Sequence, residues 1–206
     1  MEWPFGELPR KHFQCIASDC GTKFAAYSEK GETSRSPQKK YTTMTDEELA
    51  ALPVKELAAK NCFLFYWDTT ARIAAGMHIP IIRAWGFKPT AVAFTWFKLR
   101  KKEPGVPWFM PRESMHFGAG LTTRKNTELC VLARRGSPKR KHFGIREEIF
   151  APVREHSRKP DEAFDRIELY CDGPRLELFS RQSREGWSCW GDQSGLFDKP
   201  VMEAAE

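Results

Sequence analysis

Short apolar runs alternate along this chain with polar segments that carry helix signals. Six runs are bounded by polar turns, which is typical of buried strands. They lie at residues 13–18, 62–67, 91–97, 128–133, 176–180 and 187–190. Because strands and helical segments alternate, the pattern predicts an α/β domain with a mainly parallel sheet flanked by helices.

The helical segments show where they begin. A Thr-x-x-Glu capping box at residues 45–48 predicts a short helix directly after it. Apolar positions within 73–85 predict a second helix, which Pro80 should kink. Pro160, followed by two acidic residues, predicts a third helix that ends near Tyr170.

Composition favours one folded domain in the cytoplasm. The chain has 206 residues, of which 41% are hydrophobic, so it can bury a sizeable core. We expect a single domain over residues 1–206, with its core at about 12–197 and a short C-terminal tail. The longest apolar run is too short to cross a bilayer, and no secretion signal begins the chain. The six cysteines form no Cys-x-x-Cys pair, which favours reduced thiols over zinc or disulfides.

Three polar clusters follow predicted strands, at residues 19–22, 68–70 and 180–183. Ligands of open α/β sheets bind outside the carboxyl ends of strands, so each cluster is a candidate site. Polar turns also occur there without function, and the pattern alone leaves both interpretations open. The chain has no Gly-x-Gly-x-x-Gly motif after a strand, no phosphate-loop motif and no His-x-x-x-His pair.

Two basic loops are candidate nucleic-acid contacts on a chain of net charge +6. Each loop follows a predicted strand, and we expect the two loops to meet at one rim of the sheet. Their cations are Lys98, Arg100, Lys101 and Lys102 in the first, and Arg134, Arg135, Lys139, Arg140 and Lys141 in the second. Such a rim suits a phosphate backbone, whose neutralisation releases counterions. Ordinary solvated loops are the alternative.

Several segments, in order, resemble the adenine-N6 methyltransferases related to the messenger-RNA adenosine methylase, the MT-A70-like family. The most specific match is Arg154 to Asp161, followed by Leu-Glu-Leu-Phe at 176–179 and Gly-Asp-Gln at 191–193. The resemblance covers about residues 12–197. It implies a Rossmann-like fold that binds S-adenosylmethionine, with a permuted motif order and a compact form like bacterial or phage enzymes.

The resemblance also implies a cofactor site. By position, Lys159 would neutralise the methionine carboxylate, Glu128 would orient Lys159, and Glu177 would lie near the ribose. The other implied cofactor residues are Phe179, Arg181, Ser183, Arg184, Asp192 and Gln193. Asp192 stands where the family has asparagine, and it keeps an acceptor for a ribose hydroxyl. A surface arginine at 181 and a turn-forming aspartate at 192 remain open as alternatives.

The catalytic motif departs from the family. The family's Asp-Pro-Pro-Trp is replaced by Asp19, Cys20, Gly21 and Thr22. Asp19 and the Cys20 carbonyl would still accept hydrogen bonds from the adenine amino group. The stiff prolines and the stacking ring are absent, and a lost stacking face should weaken base capture by about 1–3 kcal/mol. A softened reactive geometry can lower the rate by about a hundredfold.

Three functions remain open at this stage. The first is S-adenosylmethionine-dependent adenine-N6 methylation of DNA, or of RNA, with the adenine extruded. The second is a pseudo-methyltransferase that keeps cofactor or nucleic-acid binding without turnover, alone or paired in a homodimer or heterodimer. The third is methylation of another substrate in a reshaped pocket.

Overall fold

A mixed sheet is the centre of the fold in the computed structural model, which describes residues 2–22, 43–101, 114–118, 123–155 and 158–198. Its strands are β1 (Phe13–Asp19), β2 (Ala58–Thr69), β3 (Lys88–Leu99), β4 (Thr127–Arg135), β5 (Glu148–Pro152), β6 (Arg175–Leu178) and β7 (Trp187–Trp190). Within the described residues they are ordered β5-β3-β4-β2-β1-β6-β7. Only β4 runs against the other six, so the prediction of a mainly parallel α/β sheet is confirmed.

Four helices flank the described sheet: α1 (Asp46–Ala51), α2 (Thr70–Ala74), α3 (His78–Ala84) and α4 (Asp161–Tyr170). The capping box before α1 is confirmed, since the Glu48 amide donates to Thr45 Oγ1 at 3.1 Å and the Thr45 amide donates to Glu48 Oε2 at 2.7 Å. The predicted helix after Pro160 is confirmed as α4. The described helices include none with the length and apolar character needed to span a bilayer.

Three details of the sequence prediction are wrong. Residues 73–85 form parts of two helices rather than one, because Gly76 adopts a φ of +70° and breaks the chain between them. Pro80 lies in the first turn of α3, where a proline is tolerated, so it does not produce the predicted kink. Strand β5 was missed, since it is short and ends in a proline, as edge strands often do.

The core occupies both faces of the sheet, because successive side chains of a strand point to opposite faces. Along β2, Leu64 and Tyr66 join the cluster under α1 and α3, while Phe65 and Trp67 join the cluster under α4. Trp85, at the end of α3, is fully buried and donates its indole N–H to the Leu49 carbonyl at 2.7 Å. The sheet is therefore a layer between helices, and its strand ends are free to build a site.

Strand direction decides where the two basic loops lie. We call the edge where β1 and β2 end the carboxyl edge, and the edge where they begin the amino edge. In the β2–β4 ladder, Thr69 pairs with Glu128 and Cys62 with Arg135, so β4 begins at the carboxyl edge and ends at the amino edge. The loop after β3 leaves from the carboxyl edge and the loop after β4 from the amino edge. The predicted common rim is therefore wrong, because an apolar pattern does not reveal strand direction.

Candidate functional site

A buried lysine joins two carboxylates at the carboxyl edge. Lys159 Nζ lies 2.8 Å from Asp19 Oδ2 and 3.0 Å from Glu128 Oε2, and its side chain is only 6% exposed. Asp19 ends β1, Lys159 directly precedes the start of α4, and Glu128 belongs to β4. The antiparallel direction of β4 is what brings Glu128 to this edge. The predicted pairing of Glu128 with Lys159 is thus present in the structure.

The charges in this cluster hold one another ionised. Burial alone would raise the pKa of Glu128, but Lys159 and Lys98 outweigh it and lower that pKa to about 2. Lys98 Nζ is 2.6 Å from Glu128 Oε1. Burial opposes the charge of Lys159, yet Asp19 and Glu128 raise its pKa above the ordinary lysine value. Lys159 is therefore a fixed cation and not a base for proton transfer.

A narrow cleft of about 20 Å³ lies beside this cluster, between the ends of β1 and β6 and the start of α4. It is lined by Asp19, Arg158, Lys159, Phe164, Glu177, Phe179, Arg181, Gln182, Arg184 and Phe197. Arg181 places a guanidinium nitrogen 3.5 Å from Asp19 Oδ2. Arg184 lies over the Phe164 ring at 3.7 Å and pairs with Asp161 Oδ1 at 2.8 Å. Its cations outnumber its carboxylates, so the cleft suits an anionic group.

Glu177 carries an unsatisfied acceptor into this cleft. It is the third residue of β6, its side chain is 13% exposed, and Oε2 has no hydrogen-bond partner among the described residues. Burial raises its pKa to about 7, although Arg184, whose Nε is 3.7 Å from Oε2, acts in the opposite direction. A buried carboxylate oxygen without a donor is suited to accept from a ligand hydroxyl.

The turn after β6 is held in an unusual backbone conformation. Phe179 has a φ of +61°, a region that bulky residues rarely enter. Its ring packs edge-on against Trp190, with the centroids 5.4 Å apart. The Ser180 hydroxyl donates to the Gln182 carbonyl at 2.8 Å. Strained residues of this kind gather at ligand sites, and this one aims the turn that carries Arg181.

Cys20 and Gly21, which replace the family's two prolines, lie in a segment that is held by contacts with Met44. The Met44 amide donates to the Gly21 carbonyl at 2.9 Å, and Thr22 forms an isolated parallel bridge with Met44. Thr22 is 5% exposed, so its small side chain presents no surface to a base. The Cys20 thiol lies 3.1 Å from Ser18 Oγ, and burial raises its pKa to about 12. The backbone is therefore anchored, whereas the stacking surface is lost and the thiol stays neutral.

Comparison with known proteins identifies the family. A family model described as MT-A70 matches residues 13–193. The chain belongs to the MT-A70 family. A Type II methyltransferase, M.MunI from a Mycoplasma species, is 26% identical over 204 residues, covering 91% of this chain and 80% of that protein. The catalytic subunit of the human N(6)-adenosine-methyltransferase, METTL3, is 28% identical over 157 residues, covering 74% of this chain and 25% of that protein.

A putative N(6)-adenosine-methyltransferase from Medicago truncatula is 29% identical over 156 residues. The aligned residues cover 74% of this chain. This chain therefore spans about a quarter of the length of each of the two eukaryotic relatives. MT-A70 methyltransferases use S-adenosylmethionine as their methyl donor, so the predicted family, fold class and cofactor are confirmed. Glu177 Oε2 and the surplus of cations in the cleft fit the ribose and the carboxylate of that donor.

The remaining cofactor residues of the MT-A70 resemblance lie outside the cleft lining. The Ser183 amide donates to Asp198 Oδ1 at 2.7 Å, which ties it to the C-terminal segment. Asp192 is exposed and Gln193 half-buried, and both lie in the turn after β7. No contact of the described cleft tests these three assignments, and they stay predictions.

The second polar cluster, at residues 68–70, has a structural role. Arg72 Nε is 3.0 Å from Asp68 Oδ1, and another guanidinium nitrogen is 2.7 Å from Asp46 Oδ1. Thr69 Oγ1 accepts from the Arg72 amide at 3.4 Å and caps α2. These contacts fasten α1 and α2 to the end of β2, and they occupy Asp68 fully.

The predicted nucleic-acid residues separate into three groups. Lys98 is 16% exposed and serves the Glu128 pair, so it is part of the buried cluster rather than a surface cation. Arg100 and Lys101 are exposed at the carboxyl edge, the edge that carries the cleft. Lys102 lies outside the described residues. The second basic loop lies at the amino edge, away from the cleft. The described residues hold no cluster of side chains that could bind a metal ion.

Three cleft residues were missed in the sequence, namely Arg158, Phe164 and Phe197. Gln182 also lines the cleft, and it lies in the polar cluster at 180–183 that the sequence marked as a candidate site. Arg158 adjoins Lys159 in the most specific family segment, which was a usable signal. The Phe197 ring lies 5.2 Å from the guanidinium carbon of Arg158 and 5.6 Å from that of Arg181. Nothing in the local pattern indicates that a phenylalanine near the end of the chain returns to the cleft.

Proposed function

We propose that this chain transfers a methyl group from S-adenosylmethionine to the N6 nitrogen of adenine in DNA. The observation that carries the proposal is Asp19, which keeps the family's catalytic position, lines the cleft and is fixed by Lys159 at 2.8 Å. Relatives named as N(6)-adenosine-methyltransferases support adenine N6 as the acceptor. The Type II methyltransferase, of which 80% is covered, favours DNA over RNA.

The donor would be held by residues of the described cleft. Lys159, with Arg158 and Arg181 beside it, would attract the methionine carboxylate, and Glu177 would accept from the ribose hydroxyls. S-adenosylmethionine supplies an electrophilic methyl carbon on a positively charged sulfur. Because Lys159 and Glu128 form an ion pair, each fixes the position of the other before the donor binds.

Asp19 would act on the acceptor. A carboxylate oxygen that accepts from one N–H of the adenine amino group holds that nitrogen in place and makes it more electron-rich. The Cys20 carbonyl would accept from the second N–H. Both acceptors must be rigid, since a displacement of about 1 Å can lower a rate by about a hundredfold. Lys159 supplies that rigidity on one side and the Met44–Gly21 hydrogen bond on the other.

A pseudo-methyltransferase is the second candidate, favoured by the loss of both prolines and of the terminal ring. Against it, the hydrogen bond from the Met44 amide to the Gly21 carbonyl restrains this backbone without prolines, which supports the enzyme. The absent ring remains a real loss, because Thr22 is buried and cannot stack on a base. Association into a homodimer or heterodimer would supply such a surface, and the relative named as a catalytic subunit makes this arrangement worth testing.

The deciding experiment measures transfer of a labelled methyl group. Purified protein is incubated with labelled S-adenosylmethionine and one of three polymers: an adenine-containing duplex, an RNA of the same sequence, or a duplex of G·C pairs only. Label in the first, recovered as N6-methyladenine, supports the proposal, and label chiefly in the RNA replaces DNA with RNA. Donor binding by calorimetry without label on any polymer would select the pseudo-methyltransferase.

Cofactor affinity should rise between pH 6 and pH 8. Glu177 has a pKa of about 7, and only its ionised form accepts from two ribose hydroxyls. The ionised fraction grows from about a tenth to about nine tenths over this interval, so the dissociation constant should fall about tenfold. Isothermal calorimetry at several pH values measures this change.

Glu177→Gln is the matched control, since it keeps the shape and removes the titration. A wild-type affinity that is flat across this interval would contradict the ribose role. The same group affects stability with the opposite sign. Because its pKa is raised from 4.5 to about 7, its contribution is fully present below about pH 4.5 and is lost as the pH rises through 7.

A further inference from the structure

The amino edge of the sheet gathers cations from strands and loops that are distant in sequence. We define the amino-edge patch as Lys60, Lys88, Arg134, Lys139, Arg140 and Lys141, all exposed. Lys88 stands opposite Arg134 in the β3–β4 ladder. A side chain at Gly136 would come within 2.4 Å of the Lys60 carbonyl oxygen, so the loop after β4 passes directly over the start of β2. The patch residues therefore lie along one edge of the sheet.

Neighbouring contacts extend the same charge. Arg135 donates a guanidinium N–H to the Lys55 carbonyl at 2.5 Å, and Lys11 Nζ donates to the same oxygen at 3.2 Å. Two positive side chains thus meet at one carbonyl oxygen beside the patch and add to the positive charge of this edge.

Acidic side chains do little to neutralise this edge. Lys11 pairs with Glu56 at 2.9 Å and Lys141 pairs with Asp172 at 2.9 Å. Lys60, Lys88 and Lys139 make no ion pair with the described part of the chain. A row of exposed cations with few carboxylates is what neutralises consecutive phosphates, each of which releases a counterion.

An exposed aromatic ring lies within the same loop. Phe143 is 74% exposed, and the guanidinium carbon of Arg140 lies 4.2 Å from its ring centroid. A cation on one face of an accessible ring is an arrangement on which a nucleic-acid base can stack. An acidic protein needs the charges but gives no reason for this pairing. An anionic membrane also takes an exposed ring beside cations, so vesicle binding is an outcome of the test. The match to the MT-A70 family favours nucleic acid among these partners.

We infer that the amino-edge patch is a second nucleic-acid surface, which binds the backbone without reading sequence and is separate from the methyl-transfer site. Strand β2 has 12 residues and separates the two edges by about 36 Å at about 3.3 Å per residue. The patch would therefore bind a different segment or molecule from the one at the methyl-transfer site, which would keep the protein on DNA between reactions.

The test uses a 12-base-pair duplex of G·C pairs only, which contains no adenine to occupy the proposed active site. Affinity is measured by fluorescence anisotropy at several salt concentrations. Neutralising the loop with Lys139→Gln, Arg140→Gln and Lys141→Gln should weaken binding at least tenfold and reduce the slope of log K against log salt by about 2–3, at about 0.9 per phosphate contact. Calorimetry should find an unchanged affinity for S-adenosylmethionine.

The matched control neutralises three cations on the other edge, Arg100, Lys101 and Arg124. In a capture assay, the protein links a labelled duplex to a second duplex that is fixed on beads, which requires both surfaces. Both triple variants should therefore lose this capture. Only the carboxyl-edge variant should lose methyl transfer. Phe143→Ala should lower the affinity for a 12-nucleotide strand of deoxycytidine about tenfold, and unchanged affinity would contradict the stacking role.

An unchanged salt slope in the Lys139–Lys141 variant would overturn the inference. The inference would also be overturned if that variant lost binding to phosphatidylserine vesicles while its affinity for the duplex stayed unchanged. The patch would then be a membrane surface. Neither readout requires turnover. A protein that transfers no methyl group but shows the expected duplex results would lose its proposed function and keep this surface.

Discussion

Replacing Lys159 by alanine should lower the free energy of unfolding by about 1.5–3 kcal/mol and abolish measurable binding of S-adenosylmethionine. The variant removes the cation that lies 2.8 Å from Asp19 Oδ2 and 3.0 Å from Glu128 Oε2, and it leaves Asp19 with Arg181 at 3.5 Å and Glu128 with Lys98 at 2.6 Å. A buried carboxylate that loses one of its two cations is only partly compensated, which destabilises the folded state. Urea unfolding and calorimetry measure the two effects separately.

Two further variants show whether charge is the cause. Adding Glu128→Gln to Lys159→Ala removes one of the two carboxylates that lost a cation and should restore part of the lost stability. Lys60→Ala, at an exposed lysine without an ion pair in the described chain, should change stability by no more than about 0.5 kcal/mol. A loss below about 1 kcal/mol in Lys159→Ala would show that the ion pair does not organise the site.

Acid provides an independent check on the same cluster. Lys159 and Lys98 hold the pKa of Glu128 at about 2, below its ordinary value of 4.5. A lowered carboxyl pKa contributes stability above the ordinary value, and that contribution disappears as the pH falls from 4.5 towards 2. The stability difference between wild type and Lys159→Ala should therefore shrink over this interval. This link between fold and site explains why one lysine affects both.

The strand and helix pattern could be predicted from the sequence because each element has a local cause. Buried apolar runs located six of the seven described strands, and the capping box located α1. Strand β5 has only five residues, and its pairing with β3 depends on tertiary contacts. The break at Gly76 was visible as a glycine, yet its positive φ follows from the packing of two helices against the sheet.

The cofactor cleft was predicted in part, and the reason differs from residue to residue. Lys159 and Glu177 lie in segments that resemble the family, so their role could be proposed before the geometry was known. Glu128 depends on the antiparallel course of β4, which no apolar pattern encodes. The same strand direction separates the basic loops that the sequence placed together. Phe197 reaches the cleft because the segment after β7 folds back against the turn after β6, where the Phe197 amide donates to the Arg181 carbonyl at 2.9 Å.

The altered tetrapeptide shows a limit of motif reading. Replacement of two prolines predicts a softer backbone, because prolines restrict φ. The structure shows that Met44, 22 positions beyond Thr22, anchors this backbone through Gly21 instead. Rigidity is a property of the folded chain and can be supplied by different residues. A stacking ring cannot be supplied in this way from Thr22, whose side chain is buried.

Asp19→Asn should therefore lower the rate of methyl transfer about 10²–10³-fold, the loss typical when one preorganised hydrogen-bonding group is removed. The amide oxygen still accepts from Lys159, so the cleft should keep its shape and the affinity for S-adenosylmethionine should change by less than about threefold. What is lost is a charged acceptor for the adenine amino group, and this acts in the chemical step. Single-turnover transfer to an adenine-containing duplex, with donor binding by calorimetry, separates the two quantities.

Asp165→Asn is the matched control, because it makes the same chemical change at an exposed residue of α4 that does not line the cleft. The transfer rate should stay within about twofold of wild type. A rate for Asp19→Asn within threefold of wild type would remove Asp19 from catalysis, even if methyl transfer to adenine itself is confirmed. The acceptor would then be held by backbone alone, and the retained aspartate would serve only to position Lys159.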